Sequence, residues 1–520
     1  MPCPSPPLSV LVQEGTVSNR VYAEFLRVSE ALIPPPKLMA EALEDNYFEH
    51  LYHRCAVIDR RDLSGKNPSL LLSQATCLAG SLVRQVSPQF LTTCEHLYLK
   101  VKTLLETNHE KDVLTVLKAI CLASCWNLSP MVLVRLDCSY HWVSIAVRLL
   151  LQLGLHREST YNTINGPGVL RRVAWYIFIQ DKLYAVCVGL PAMIKPSEFK
   201  IRQLEQGDFE FVNDKSELFI QYVNLNAMIG SMVEVYRRKG EDTAAEAAYS
   251  ILHSMKMWIH QLPEYLRLYQ DSDRRQYRRN VYEIHINYFV AVILFFHLCG
   301  HAFRTTITNP TTLIASSCIA RLYEEIYYRE DIRFLLPMNH WFILVGCLPQ
   351  IHALSGRSNN ADDATCGEEF NILRTALQTM GNKWPQANNF VTAVDKLQKK
   401  RSGAHPSKEY RPTSPERPNP TAADDGNDDT FPNASDGTVL LRGSIRDLFP
   451  FPESMCPRMA ILDSIDPNHG TLGSANIEPL SWDEDYQFNW IFDTISSDHL
   501  SDAYDGLLGQ SLLGGPGLSF

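Results

Sequence analysis

Asp181 and Lys182 stand side by side in LRRVAWYIFIQDKLYAVCVGLPAMI (170–194), a run that is apolar nearly all the way round apart from Arg171 and Arg172 at its start. A carboxylate and an ammonium held away from water can transfer a proton, lock two elements together, or line a cavity for a small polar molecule. Catalysis needs companions that this chain does not supply. Ser197-Glu-Phe-Lys200 has the S-x-x-K spacing of a serine activated by lysine, but neither S-D-N nor K-T-G accompanies it, and the match is read as chance. There is no H-E-x-x-H, G-x-S-x-G, P-loop or convincing G-x-G-x-x-G. His50 and His53 are spaced to face one metal ion, yet no third ligand goes with them, so a surface or half-buried pair is expected. No catalytic residue, metal ligand or cofactor is assigned, and the chain is not read as an enzyme.

On a helix at about 100° per residue, Asp181 lies beside Ala174, Ile177, Ala185 and Val188, and Lys182 beside Trp175, Phe178 and Val186. A helix without a polar face belongs inside a large bundle. An ionised aspartate there costs several kcal/mol unless paired. A basic partner from another helix or loop is therefore expected. YHWVSIAVRLLLQLGLHRE offers candidates: His141, Ser144, Arg148 and Gln152 share one stripe, and Arg157 follows just after Gly154. Arg171 and Arg172 sit at the helix end that the macrodipole disfavours for cations, so they are expected to contact acidic groups. The set Arg148, Arg157, Arg171, Arg172, Asp181 and Lys182 is thus either an ion-pair network that fixes helix register or a polar cavity for a small effector. Buried pairs most often organise packing, which favours the network.

These residues need a helical frame, and the hydrophobic pattern supplies one. Between 21 and 400 long apolar segments alternate with short polar breaks: Asn46–Tyr52, Pro68–Val86, Pro88–Glu106, Asp112–Asn127, Ser139–Leu153, Leu170–Val188, Glu217–Lys239, Thr243–Gln261, Tyr277–Phe303, Thr311–Tyr328, His340–Leu354 and Glu368–Lys383. Period-2 alternation is nearly absent, so little sheet is expected. Gly154, Gly166-Pro167-Gly168, Gly189 with Pro191, Pro263, Gly300 and Pro337 fall where helices should end. The fold class read from this is all-α, a large multi-helix bundle followed by a disordered acidic C-terminal tail. The divisions are a flexible N-terminus at 1–20, a helical body at 21–400, a disordered linker at 401–480 and an acidic-aromatic segment at 481–520. A chain of 520 residues is too long for one core of ordinary size.

The charge follows the same division. Residues 401–520 hold 7 Lys and Arg against 19 Asp and Glu, a net of −12, which leaves 41 basic and 39 acidic residues before them, a net of +2. The 13 cysteines are scattered, many in apolar stretches and none spaced C-x-x-C, which reads as buried free thiols in a reducing compartment. No signal peptide is read at the N-terminus. The greasiest run, YFVAVILFFHLCG (288–300), is shorter than the roughly 20 residues of a membrane span, so a core helix and no membrane partner are expected.

Taken as an ordered set, Trp142-x-Ser144, Leu151-Gln152-Leu153-Gly154-Leu155-His156-Arg157, Leu170-Arg171-Arg172, Trp175, Asp181-Lys182 and Gly189-x-Pro191 resemble the fungal-specific regulatory domain, the middle homology region of fungal zinc-cluster transcription factors. Tyr47-Phe48-Glu49-His50, Val57-Ile58-Asp59-Arg60 and Pro68-Ser69-Leu70-Leu71-Leu72 look closest to its cutinase-regulator-like branch. The resemblance covers about residues 40 to 350, with Trp142, Gly154, Trp175, Gly189 and Pro191 as signature positions. Ala174 stands for a frequent second aromatic, Lys182 for a frequent arginine and Leu190 for the usual arginine, which loosens the carry-over of inner polar contacts but not of the fold. The resemblance implies an all-helical domain that restrains a transcriptional activator and senses for it. The family's six-cysteine, two-zinc DNA reader has no counterpart here, nor does its basic companion segment. Either that module is encoded upstream, in which case zinc belongs to it, or the protein reaches DNA through a partner.

Tyr236-Arg237-Arg238-Lys239 and Asp273-Arg274-Arg275-Gln276-Tyr277-Arg278-Arg279 are basic but flank helices and neighbouring acids, and read as solvated faces. Lys399, Lys400 and Arg401 form a candidate nuclear-localisation signal at the border of body and linker. In SWDEDYQFNWIFDTISSDHLSDAYDGLLGQSLL the acids keep Trp482, Phe488, Trp490 and Phe492 solvated until a coactivator groove takes them, the pattern of an activation segment. The reading is a nuclear regulator of RNA polymerase II genes, such as a metabolic or biosynthetic cluster. Its partners would be coactivators, a second copy or a zinc-cluster factor, and DNA directly or through that partner. The alternative is a helical small-molecule-binding protein or enzyme.

Overall fold

The computed structural model describes residues 17–64, 68–85, 87–127, 137–164, 166–238, 243–300, 308–354, 361–402 and 445–462. The chain divides into two compact units. The first holds residues 1–230 with two later returns, Glu330–Pro337 and Asn382–Gln386, and the second holds the rest.

The first unit runs through α1 (Val17–Val28), α2 (Lys37–His50), α3 (Arg60–Leu63), α4 (Leu70–Ser81), α5 (Phe90–Glu106), α6 (Val113–Ala123), α7 (Ser139–Gln152), α8 (Glu158–Tyr161), α9 (Gly168–Val188) and into α10 (Asp214–Arg237). Its middle is α4, apolar on every side after its Ser69 cap, packed against α2, α5 and α6. The approach to α2 is close enough to demand glycine: a Cβ at Gly80 would lie 1.8 Å from the Leu43 carbonyl oxygen. Asp112 caps α6 through the N–H groups of Leu114 and Thr115, and α6 packs on α7 and α9. The later returns close this core. Trp384 is fully buried between the rings of Phe90 and Trp126, and its Nε1 donates to the Leu335 carbonyl at 3.0 Å.

The second unit contains α11 (Thr243–Gln261), a minimal hairpin of β1 (Tyr269–Gln270) and β2 (Asp273–Arg274), then α12 (Arg279–Cys299), α13 (Thr308–Tyr328), α14 (Met338–Ala353), α15 (Ala361–Gly381) and α16 (Ala387–Ser402). The hairpin pairs Tyr269 with Arg274 and Gln270 with Asp273. α12 packs against α13 and α14, and α15 against α13, α14 and α16. The expectation of an all-α fold with little sheet holds among the described residues, and all twelve described cysteines are free.

The structure departs from the sequence reading in three places. α12 is 21 residues long, long and apolar enough to cross a membrane, so the length argument does not hold; what marks it as a core helix is that 94% of its most apolar window is buried inside the protein. α1, α16 and the one-turn α3 and α8 are not among the expected helices, and α2 begins at Lys37 rather than at the expected Asn46. Finally, residues 445–462 lie inside the span read as a disordered linker, yet they pack on the second unit. Phe449 stacks on Phe289, Tyr288 Oη donates to the Leu448 carbonyl at 2.9 Å, and Cys456 Sγ lies 3.2 Å from Cys318 Sγ. Arg458 bonds Glu369 at 3.1 Å with both side chains buried. A short apolar cluster, IRDLFPF, and one arginine suffice for this, although the surrounding composition is polar.

Candidate functional site

The polar residues of α9 fall into two groups, one at each end of the helix. At the start, Arg172 is fully buried and all three guanidinium nitrogens are used. Nη2 donates to Asp59 Oδ1 at 2.6 Å, Nε to the Ala56 carbonyl at 2.8 Å and Nη1 to the Asp208 carbonyl at 2.8 Å. The guanidinium also lies over the Phe209 ring. Asp59 caps α3 in a capping box with Asp62 and takes Arg61 on its other oxygen at 3.2 Å.

Arg171 turns to α8 and to the segment around Asp208. Its Nη2 donates to Glu158 Oε1 at 2.5 Å, its Nη1 stands 3.5 Å from Asp208 Oδ1, and it lies over the Tyr161 ring. Arg202 grips Asp208 with two bonds of 2.7 Å, and its N–H donates to Glu158 Oε2 at 3.0 Å. Burial works against the charge on Glu158, but the bonds from Arg171 and from the Arg202 N–H prevail and hold its carboxyl below the usual range. The bond to Asp208 raises the pKa of Arg202. The loop comes near because α9 begins with glycine: a Cβ at Gly168 would lie 2.6 Å from the Asp208 carbonyl oxygen.

At the other end, Asp181 and Lys182 are both about 1% exposed. α9 ends at Gly189 with φ of 68°, a left-handed cap that glycine adopts without strain. The chain then folds back along the helix. Asp181 accepts from the Met193 N–H at 2.8 Å and the Ile194 N–H at 3.0 Å. Lys182 Nζ donates to Asp181 Oδ2 at 3.1 Å and to the Ile194 carbonyl. The lysine stem lies against Gly230, where a Cβ would come within 2.7 Å of Lys182 Cγ.

The expected partner for Asp181 from another helix is therefore corrected. Successive helical residues point about 100° apart, but both side chains reach the same returning segment, whose main chain completes the pair. Arg148 does not join them: it is exposed on α7 and bonds Gln152 at 3.3 Å. Arg157 Nε donates to His156 Nε2 at 2.9 Å instead. The expectation that Arg171 and Arg172 meet acidic groups is met by Glu158, Asp208 and Asp59. Those three acids, with Arg202, are the members that sequence reasoning did not assign. Asp59 had a signal, standing at the end of the apolar run Ala56-Val57-Ile58; Asp208 closes a single 3-10 turn, Gln206–Asp208, too short to show in the periodicity, and had none.

The signature residues serve this frame. Trp142 Nε1 donates to Tyr98 Oη at 3.0 Å, Trp175 Nε1 to the Arg202 carbonyl at 2.9 Å, and Gly154 (φ 70°) ends the turn after α7. Pro191 is exposed in the returning segment. His50 lies 4.4 Å from the Phe334 ring and His53 is buried. Among the described residues no three His, Cys, Asp or Glu side chains gather to hold a metal. Lys399 is exposed near the end of α16; the side chains of Lys400 and Arg401, and the segment with Trp482, Phe488, Trp490 and Phe492, lie outside the described residues.

Each acid of the network, Asp59, Glu158, Asp181 and Asp208, is bonded to a cation, and the groups at the two ends of α9 tie α3, α8, the segment 202–208 and the returning segment 193–194 to that one helix. The profile of the fungal specific transcription factor domain matches residues 45–294, which contain the whole network. Cutinase transcription factor 1 alpha of Fusarium vanettenii is 23% identical over 311 residues, 54% of this chain and 33% of that protein. The acetamidase regulatory protein of Aspergillus oryzae is 25% identical over 392 residues, 70% and 48% of the two chains. Transcriptional regulatory protein SEF1 of Candida albicans is 32% identical over 164 residues, 29% and 16%. The chain spans less than half the length of each of these relatives. No solved structure matches.

Proposed function

We propose that this protein, whose residues 45–294 match the fungal specific transcription factor domain, regulates transcription of RNA polymerase II genes in the nucleus. The observation that carries this is the match of the domain over a segment that contains the ion-pair network of α9, together with relatives named as transcription factors and regulatory proteins. In this reading the helical body is a rigid regulatory scaffold without catalysis of its own. The acidic-aromatic segment 481–520 recruits coactivators, with Trp482, Phe488, Trp490 and Phe492 as the contacting side chains. DNA is reached directly or through a zinc-cluster partner, and zinc belongs to that reader. The controlled genes are a small metabolic or biosynthetic set.

The test is a reporter assay. The full chain is tethered to a foreign DNA-binding domain, with Trp490 and Phe492 intact or replaced by alanine. Expression that rises with the intact chain and falls at least about tenfold in the variant supports the proposal. A reporter equally silent with both sinks the activation role. A fluorescent fusion that stays out of the nucleus would overturn the location, and Lys399, Lys400 and Arg401 are the residues to replace if it enters.

A further inference from the structure

A cavity lies beside the β1–β2 hairpin of the second unit. It has a volume of about 180 Å³ and is lined by Arg267, Arg275 and Arg278, with Tyr265 and Tyr282 among its other walls. No carboxylate lines it. We propose that this cavity binds a small organic monocarboxylate with an apolar body, its carboxylate held by Arg267 and Arg275 and its body laid against the tyrosines.

Three observations support this. First, the arginines are fixed in place before any ligand arrives. Arg267 donates through Nε to the Leu262 carbonyl at 2.9 Å and through Nη2 to the His260 carbonyl at 3.1 Å; Arg278 Nη2 donates to the Tyr265 carbonyl at 2.5 Å. A guanidinium anchored on carbonyl oxygens keeps its full charge, and Arg267 pairs with no carboxylate among the described residues. Second, Arg275 is only partly satisfied. It bonds Glu264 at 2.5 Å and Gln270 at 2.9 Å through Nη2, while its buried Nε has no partner. A buried donor left unmade is costly, and an anion would satisfy it. Third, the walls are mixed. Leu268 and Val281 complete the apolar side, and the volume is below the usual range for drug-sized ligands, so the occupant is small. Of the nearby acids, Glu264 pairs with Arg275 itself, Glu325 with Arg274 and Arg329, and Glu283 with Arg279. The basic run Asp273–Arg279, read from sequence as a solvated face, thus contributes three lining residues of a pocket, Arg275, Gln276 and Arg278.

This inference does not depend on the transcriptional role, because it is read by binding heat. Benzoate, butyrate and inorganic phosphate are titrated into the full chain by calorimetry. The expected result is one saturable site for benzoate with a Kd no weaker than about 1 mM. Arg267→Gln and Arg275→Gln should each weaken it about tenfold to a hundredfold, the range for a lost bond to a charged group. Gln276→Trp removes no charge and plugs the cavity from its exposed rim, so it should abolish binding at an unchanged melting temperature. No saturable heat from benzoate or butyrate would overturn the proposal. So would affinity unchanged in folded Gln276→Trp protein, or phosphate binding as tightly as benzoate.

Discussion

Arg172 and Asp59 stand 113 residues apart in the chain and meet at 2.6 Å with both side chains shut away from water. Removing one partner of a buried pair strands the other. Asp59→Ala should therefore lower unfolding stability by about 3–5 kcal/mol, whereas replacing both residues with apolar ones of similar volume should cost less than the two single changes summed. Chemical unfolding of the three variants measures the difference. Additive costs would mean that the two side chains do not interact.

Gly230 makes room for Lys182, and the space is specific to that stem. Gly230→Ala should cost about 1–3 kcal/mol by crowding a filled interior. In a Lys182→Ala background the same change should cost about 1 kcal/mol less, because the crowded atoms are gone. A double-mutant cycle by thermal unfolding reads the coupling directly.

Two buried histidines give the second unit an acid sensitivity. Burial lowers the pKa of His285 to about 4 and that of His340 to about 3, from an ordinary value of 6.5. Between 6.5 and those values the unfolded chain binds protons that the folded chain refuses. Stability should therefore be unaffected by these groups above pH 6.5 and fall below it, by about 1.4 kcal/mol per pH unit for each histidine. His340→Phe should lose about 2 kcal/mol less than the native protein between pH 7 and pH 5. Denaturant unfolding at the two pH values checks this, and parallel losses in both proteins would contradict it.

Residues 445–462 should behave as part of the folded body. A chain ending at Leu462 should melt like the full protein. One ending at Ser444 should lose about 3 kcal/mol or more, since Glu369 loses Arg458 and the face under Phe449 is laid open. Equal melting of the two truncations would show that the segment is not bound in solution.

Much of the frame was legible because helices advertise themselves. Thr243–Gln261 was read with the bounds it has, and α9 and α13 within a few residues, since their apolar periodicity ends at glycine or at the turn. α1 was missed for a physical reason: it has no buried residue, and Val17, Val21, Phe25 and Val28 are exposed, so no core demanded it. The site was half legible. Arg171, Arg172 and Asp181 announced themselves as charges in apolar surroundings, but their partners lie in turns and on main-chain atoms, and a main-chain N–H is the same in every sequence. The packed segment after residue 444 was hidden by its surroundings, because composition averages over a window wider than IRDLFPF.

Trp384 completes the core of the first unit, although it follows Gly230 by more than 150 positions. A ribosome adding about 5–20 residues per second needs roughly ten to thirty seconds to cover that interval. For that time the nascent first unit carries an open socket between Phe90 and Trp126, the interval in which a chaperone has an aromatic surface to hold.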